Sequence, residues 1–292
     1  MSLVLAALTA GAIAPAAEAA RPLPPGTSGQ PVVVQPAKPT DPTGLNAVTF
    51  PAGATDVIKT KFDPKRHGFD FANYFGHDLG SMSIPGFGSI NFGSYAYGLC
   101  GGMSYAAADT FLHGGQTPVT GGTPPGQGSA LRGELFDRQV DTLTHDNAAV
   151  FRRFVAWQLL PIDDRKVFGH TVIEGLKTKS KRQYRKKIKP RLLENKPVPL
   201  GLVNVDGTAV PWKNHQLLAI GSFKTSGGQL VIATYDPNYP AGGEGEDDGI
   251  TWLYTKRRKH YHDPAGTDAV SSKKWRGYFA TRYAKKQPSW VA

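Results

Sequence analysis

The apolar residues of this chain change their spacing near Pro199, and this change constrains the fold more than any other feature of the sequence. Between about residues 131 and 195, apolar residues recur every three or four positions, as on one face of a helix. The clearest stripes are Phe151, Phe154, Val155 and Leu159, followed by Tyr184, Ile188 and Leu192. After Pro199, runs of branched and aromatic residues alternate with Gly, Pro or charged clusters, as strands do. These runs are 200–205, 215–223, 229–235, 250–254 and 277–283. The pattern predicts an α+β fold with a helical half over about 98–196 and a mainly antiparallel β half over about 197–285.

Two local signals sharpen this expectation. The first helix is predicted to begin at Cys100, because Ser104 to Leu112 is rich in Ala and free of Gly and Pro, and two glycines follow His113. The short segment from Lys224 to Gly228 predicts a hairpin between the strands on either side of it. Residues 51–98 are rich in Gly, Ser and aromatics and are expected to be irregular.

The N-terminal region predicts an exported protein. Leu3 to Ala14 is apolar, and the small residues of a signal peptidase site follow it, so residues 1–19 are expected to be a signal peptide. Residues 20–44 are rich in proline and predict an extended, disordered spacer. The folded domain is then expected over residues 45–292. No apolar run approaches the length of about 20 residues that a transmembrane helix needs, so no transmembrane segment is predicted.

The charge of the chain indicates an anionic partner. Its 34 Lys and Arg against 23 Asp and Glu give a net charge of +11. Nine of these cations lie within 15 residues, from Lys177 to Arg191, and overlap the Tyr184 stripe. The segment therefore predicts a helix with one buried and one very basic face, which is either simply solvated or docks to an anion. For an exported protein an anionic cell-envelope polymer or lipid surface is the expected partner, and nucleic acid is not.

No cofactor or metal is predicted. The chain has neither a Gly-x-Gly-x-x-Gly motif between strand and helix nor a Walker A lysine. Its single cysteine has no second thiol or close histidine pair for zinc. An acidic loop contains Glu244, Glu246, Asp247 and Asp248, but its spacing does not match an EF-hand, which favours a solvated loop over a calcium site.

The single cysteine is the most informative residue. Cys100 lies in the sequence YGLCGGMS, where the glycines permit a sharp turn and close approach of other chain segments. At a helix N-terminus the dipole and the free N–H groups favour the thiolate over the thiol, which is how a nucleophile is made. The alternative is a small buried apolar residue beside Leu99 and Met103, since free cysteines are often buried.

A thiolate nucleophile needs an imidazole partner, and His215 is the best candidate among eight histidines. It opens the strand of residues 215–223, and Asp236 follows the next strand. If the two strands pair, the start of one lies beside the end of the other, so the carboxylate orients the imidazole. The other histidines are expected in loops, near helices or, for the last two, in a basic surface run. They are His67, His77, His113, His145, His170, His260 and His262.

The order of Cys100, His215 and Asp236 resembles that of the papain-like cysteine peptidase superfamily, and the last two motifs look closest to the double-glycine leader peptidase-like branch. The resemblance covers about residues 90–240. It implies a papain-like fold with Cys100 as nucleophile, His215 as general base and then acid, and Asp236 as the orienting acid, with Asn238 as the alternative for that last role. A peptide or amide is the implied substrate, cleaved through a thioester.

The sequence departs from the family at the oxyanion donor. Members commonly have Gln six residues before the cysteine, where this chain has Ser94, with Asn91 as the nearest amide. Three functions therefore stay open. The first is a secreted cysteine peptidase or amidase. The second is a transglutaminase-like acyltransferase on the same fold. The third is a non-catalytic envelope-binding protein that uses its basic helix.

Overall fold

The computed structural model describes residues 48–75, 81–84, 88–91, 98–204, 206–207, 213–241, 248–262 and 273–291. All of them belong to one unit, residues 34–292. The fold is α+β with an antiparallel sheet, in agreement with the class that the spacing predicts. The predicted signal peptide and spacer lie outside the described residues, as does His77.

Five α-helices are present in the described part of the chain. They are α1 (Pro64–His67), α2 (Cys100–Leu112), α3 (Ala130–Gln158), α4 (Leu176–Gln183) and α5 (Lys189–Leu193), and a π-helical turn (Tyr184–Ile188) joins α4 to α5. The predicted start of α2 at Cys100 is confirmed. The prediction for Leu159 is wrong, because α3 ends one residue earlier and Leu159 is 51% exposed. α3 also breaks at His145–Ala148, where three successive residues have positive φ.

Twelve strands lie in the described part of the chain. They are β1 (Thr55–Lys59), β2 (Ser81–Ile84), β3 (Gly88–Asn91), β4 (Arg165–Val167), β5 (His170–Ile173), β6 (Val198–Val203), β7 (His215–Lys224), β8 (Leu230–Tyr235), β9 (Ile250–Tyr254), β10 (Lys259–Tyr261), β11 (Lys273–Lys274) and β12 (Gly277–Ala280). The five predicted runs correspond to β6 to β9 and β12. The predicted hairpin is confirmed, since β7 pairs antiparallel with β8 and Lys224 lies opposite Leu230.

The β4–β5 hairpin corrects the expectation of a purely helical first half. Phe168 and Gly169 at its tip both have positive φ, of 48° and 81°, which is the backbone that a tight hairpin turn requires. Both strands are exposed along their whole length. Strands β1, β2 and β3 likewise replace part of the irregular chain expected over residues 51–98.

The main sheet is curled so that its two edges meet in one chain segment, and this curled sheet is called the barrel below. Its strand order is β11-β10-β9-β8-β7-β6-β12, so β11 and β12 lie at opposite edges although only two residues separate them in the chain. The Trp275 N–H donates to the Arg258 carbonyl beside β10, and the Arg276 N–H donates to the Val203 carbonyl of β6. These two hydrogen bonds join the edges, so residues 273–280 act as one continuous strand between β10 and β6.

Helices α2 and α3 cover the outer face of the barrel, whereas the π-helical turn and α5 contribute side chains to the cluster on its inner face. One face of β7 and β8 packs against α2 through Leu218, Ala233 and Ala107. The opposite face fills the barrel interior, where side chains from β6 to β9 and β12 meet. Tyr184, Ile188 and Leu192 join this interior cluster, so the predicted buried stripe of the basic segment is confirmed. α3 covers β6 and β12, with Phe154 against Phe279.

The tight contact between α2 and α3 makes a testable prediction at Gly102. A Cβ atom at Gly102 would lie 2.1 Å from the Leu135 carbonyl oxygen, which is backbone and cannot move aside. We expect Gly102→Ala to lower the free energy of unfolding by about 1–3 kcal/mol in urea denaturation.

Gly133 provides the matched control within the same helix pair. Nothing lies within 4 Å of a Cβ atom at Gly133, which is exposed in α3. Gly133→Ala is therefore expected to raise the unfolding free energy by about 0.5–1 kcal/mol, because Ala is the better helix former. Equal effects of the two changes would contradict the packing at Gly102.

Candidate active site

The β7–β8 hairpin brings His215 and Asp236 together at one end of the barrel. His215 is the first residue of β7, and Asp236 directly follows β8. Because the strands are antiparallel, with Leu218 opposite Tyr235, the start of one lies beside the end of the other. The His215 Nε2 atom lies 2.8 Å from Asp236 Oδ1. The predicted contact between these two side chains is confirmed.

The pair is electrostatically coupled. Burial by itself lowers the pKa of His215, but the Asp236 carboxylate and the Cys100 side chain outweigh it and raise this pKa to about 10. Burial likewise raises the pKa of Asp236, yet the charge and hydrogen bond of His215 lower it to about 2. The Asp236 side chain is 2% exposed and that of His215 is 23% exposed. At neutral pH the two groups therefore form a buried ion pair whose imidazolium reaches solvent.

His260 is a second imidazole beside the same carboxylate, which the sequence did not lead us to expect. It was predicted in a basic surface run, and this is wrong, because β10 places it inside the barrel, where it is 5% exposed. Its Nδ1 atom lies 3.5 Å from Asp236 Oδ2, and the Trp275 ring packs against its ring at an angle of 47°. Burial lowers the pKa of His260 to about 4, so it is neutral beside Asp236. The signal in the sequence was that His260 and Tyr261 can form a short strand. The cations just before them indicated a surface segment instead.

Cys100 completes the group. It is the first residue of α2 and is partly buried, and Leu99 at the N-cap makes no side-chain hydrogen bond to the helix. The Cys100 side chain is electrostatically coupled to His215, since it is one of the groups that raise the pKa of that imidazole. Cys100, His215 and Asp236 all line one cavity of about 310 Å³.

The glycines around Cys100 admit close neighbours, as the sequence predicts. The Gly102 N–H donates to Gln139 Oε1 of α3 at 3.0 Å, which anchors the first turn of α2. A Cβ atom at Gly98 would lie 2.0 Å from the Asn73 side-chain amide. Gly98 thus permits Asn73 to reach the cavity. Neither Gln139 nor Asn73 carries a motif from which the sequence could have identified it.

Asn73 and Asn238 form the far wall of the cavity. Asn73 Nδ2 donates to Asn238 Oδ1 at 3.0 Å, and the Asn73 N–H donates to the Pro237 carbonyl. The Asn238 N–H donates to Asp236 Oδ1. The side chain that contacts His215 is therefore that of Asp236, while the amide of Asn238 is bound to Asn73.

The structure describes only one of the two positions considered for the oxyanion donor near Cys100. Ser94 lies outside the described residues, and Asn91 is described only as the last residue of β3. Three lysines, Lys213, Lys273 and Lys274, line the same cavity as Cys100. The site thus carries positive charge around a buried ion pair.

The other histidines in the described part of the chain do not join the group. His67 is buried and packs between the rings of Phe62 and Phe111. His113 hydrogen-bonds to the Asp109 carbonyl at the end of α2. His145 lies at the break in α3 and His170 in the exposed strand β5. His262 packs against Tyr239 at the edge of the cavity.

The described residues contain neither a metal-binding cluster nor a membrane-spanning helix. Within the described ranges, no three His, Cys, Asp or Glu side chains are arranged to hold a metal ion. Of the acidic loop, Glu244, Glu246 and Asp247 lie outside those ranges. None of the helices in the described part combines the length and apolar character that crossing a bilayer requires.

Comparison with known proteins provides no further guide. No protein-family model, curated protein or solved structure matches this chain. The chemical interpretation of the chain therefore depends on the geometry of Cys100, His215 and Asp236 and on the cavity that they share.

Proposed function

We propose that this chain is a papain-like cysteine peptidase or amidase that acts through Cys100, His215 and Asp236. One observation carries the proposal: the three side chains line a single cavity, in which His215 contacts the Asp236 carboxylate and is electrostatically coupled to Cys100. Nucleophile, base and orienting acid are in contact in this order in cysteine hydrolases generally. The three residues come from the start of α2, the start of β7 and the end of β8. A purely structural cysteine would not need this arrangement.

The first half of the cycle acylates Cys100. The thiolate attacks the carbonyl carbon of an amide or ester, and the carbonyl electrons move to the oxygen. We assign the oxyanion donor to the Cys100 N–H, because Cys100 is the first residue of α2. The C–N bond then breaks, and the leaving amine takes the proton of the His215 imidazolium. A thioester on Cys100 and a neutral His215 remain.

The second half regenerates the site. Neutral His215 takes a proton from water, and the resulting hydroxide adds to the thioester carbonyl. The C–S bond breaks, which releases a carboxylic acid and restores the thiolate and the imidazolium. Asp236, held between His215 and the Asn238 N–H, keeps the ring oriented in both halves. If an amine replaces water, the same thioester gives acyl transfer, as in a transglutaminase-like enzyme.

We further propose that the protein acts outside the cytoplasm, at the cell envelope. The apolar segment and small residues of positions 1–19 support export. The basic segment from Lys177 to Arg191 supports contact with an anionic envelope polymer or lipid surface. Its Tyr184 stripe is buried, and cations occupy the positions between the residues of that stripe.

The experiment that tests the enzymatic proposal follows one turnover with p-nitrophenyl acetate. We expect a burst of one nitrophenolate per chain and an acetyl group on Cys100 in the intact mass, with neither in Cys100→Ala. Surface lysines react equally in both proteins, so the difference between them reports the thioester.

The fate of the acetyl group separates the two activities. Release in buffer supports a hydrolase, whereas release only after addition of glycylglycine, with acetylglycylglycine as product, supports an acyltransferase. A folded chain that shows no burst and no acetyl group at Cys100 would contradict both and favour the non-catalytic envelope-binding function.

A further inference from the structure

A second cavity opens from the barrel interior beside α4. It has a volume of about 410 Å³ and lies between α4 and the strands β8, β9 and β12. Barrel mouths are places where proteins commonly hold small ligands. Cys100, His215 and Asp236 do not line it, so it is distinct from the candidate active site.

The floor of this cavity is apolar. Leu253, Trp275 and Tyr278 belong to the cluster that fills the barrel, and Leu230 packs against that cluster. An apolar body is the ligand part that such a surface binds, because burial removes it from water.

The rim of the cavity is basic. Five cations line it: Lys177, Lys181, Lys256, Arg258 and Arg276. Two of them are neutralised, Lys177 by Asp163 at 2.6 Å and Arg276 by Asp206 at 3.0 Å. Lys181, Lys256 and Arg258 have no acidic partner among the described residues, and none of the described residues that line the cavity is acidic. The three unneutralised charges favour an anion at the mouth.

Trp275 lines this cavity and also the cavity that holds Cys100, and it is the single residue that the two sets of described lining residues share.

We propose that this cavity binds a single-chain anionic amphiphile, with its alkyl chain over Leu253 and Tyr278 and its phosphate or carboxylate at the basic rim. The apolar floor alone would accept any hydrocarbon, and the rim alone any anion. Only a ligand with both parts satisfies the two surfaces together. The assignment does not depend on the chemistry of Cys100.

Calorimetric titration of the full chain with octyl phosphate, octanoate, octanol and inorganic phosphate tests this proposal. We expect saturable binding of one octyl phosphate or octanoate per chain, and weaker binding of octanol and inorganic phosphate. Lys181→Gln/Lys256→Gln is expected to weaken octyl phosphate by about tenfold and to leave octanol unchanged. Lys59→Gln/Lys61→Gln, which removes the same charge from exposed positions near β1, is the matched control and should bind like the native chain.

The four ligands keep the outcomes distinct. A preference for octyl phosphate over octanoate identifies a phosphate head group, and the reverse identifies a fatty acid. Octanol binding as tightly as octyl phosphate, or inorganic phosphate doing so, would overturn the amphiphile assignment. So would unchanged binding in the Lys181 and Lys256 double variant, or absence of binding to all four ligands.

Discussion

Iodoacetamide is expected to alkylate Cys100 of the native chain rapidly at about pH 6, and His215→Ala is expected to slow this reaction by at least about tenfold. The reason is the availability of thiolate. An isolated cysteine has a pKa of about 8.5, so at about pH 6 only roughly one thiol in 300 is ionised. In the native chain the neighbouring imidazolium of His215 holds a positive charge against the sulfur. Mass spectrometry of time points gives both rates on the single thiol of the chain.

The control for this measurement is His170→Ala, which removes a histidine from the exposed strand β5 far from any contact with Cys100. Its alkylation rate should equal that of the native chain. Native labelling that becomes rapid only near about pH 8.5 would contradict a thiolate–imidazolium pair. Labelling that appears only after unfolding in urea would mean that Cys100 is merely buried.

Asp236→Asn is expected to shift the titration of His215 from about 10 to below its ordinary pKa of 6.5. Burial by itself lowers the pKa of this ring, and the Asp236 carboxylate is the main influence that raises it. Removing the negative charge leaves burial dominant. NMR titration of the histidine rings, with His215→Ala to identify the resonance, measures the shift. At neutral pH the variant should also react slowly with iodoacetamide, because its imidazole is then largely neutral.

The same change has a signature in stability. A group whose pKa is raised in the folded state stabilises it fully below the unfolded pKa and less as pH rises toward the folded pKa. The native free energy of unfolding should therefore receive a falling contribution from His215 between about pH 6.5 and 10, of up to about 1.4 kcal/mol per pH unit. Asp236→Asn should lose this slope. Asp137→Asn, at an exposed position of α3, is the charge-matched control and should retain it. An unchanged His215 titration in Asp236→Asn would contradict the ion pair.

The predictable part of the fold is local in origin. The start of α2 at Cys100, the stripe of Tyr184, Ile188 and Leu192, and the turn after Lys224 all follow from spacing and composition over a few residues. The contact of His215 with Asp236 followed because one short hairpin connects the two residues, although the register shifts between Ala219 and Gly221, which the sequence does not indicate.

Where local signals compete, the sequence was misleading. Residues 165–173 lie between two helical patterns, yet the left-handed backbone of Phe168 and Gly169 turns them into the β4–β5 hairpin. His260 stands among cations, which indicate a surface, yet its strand places the ring inside the barrel. In both cases the prediction followed the composition of several neighbouring residues. The structure instead followed the conformation of one or two residues.

The sequence by itself determined the order of helices and strands, the position of the cysteine at a helix start, and the His215–Asp236 hairpin. Only the tertiary structure decided the closure of the barrel at Trp275 and Arg276, the second imidazole at Asp236, and the approach of Asn73 to Gly98. Spacing along a chain determines which face of an element is apolar. Barrel closure and side-chain contacts between distant residues depend instead on how those faces pack, and that is settled by excluded volume and burial across the whole domain.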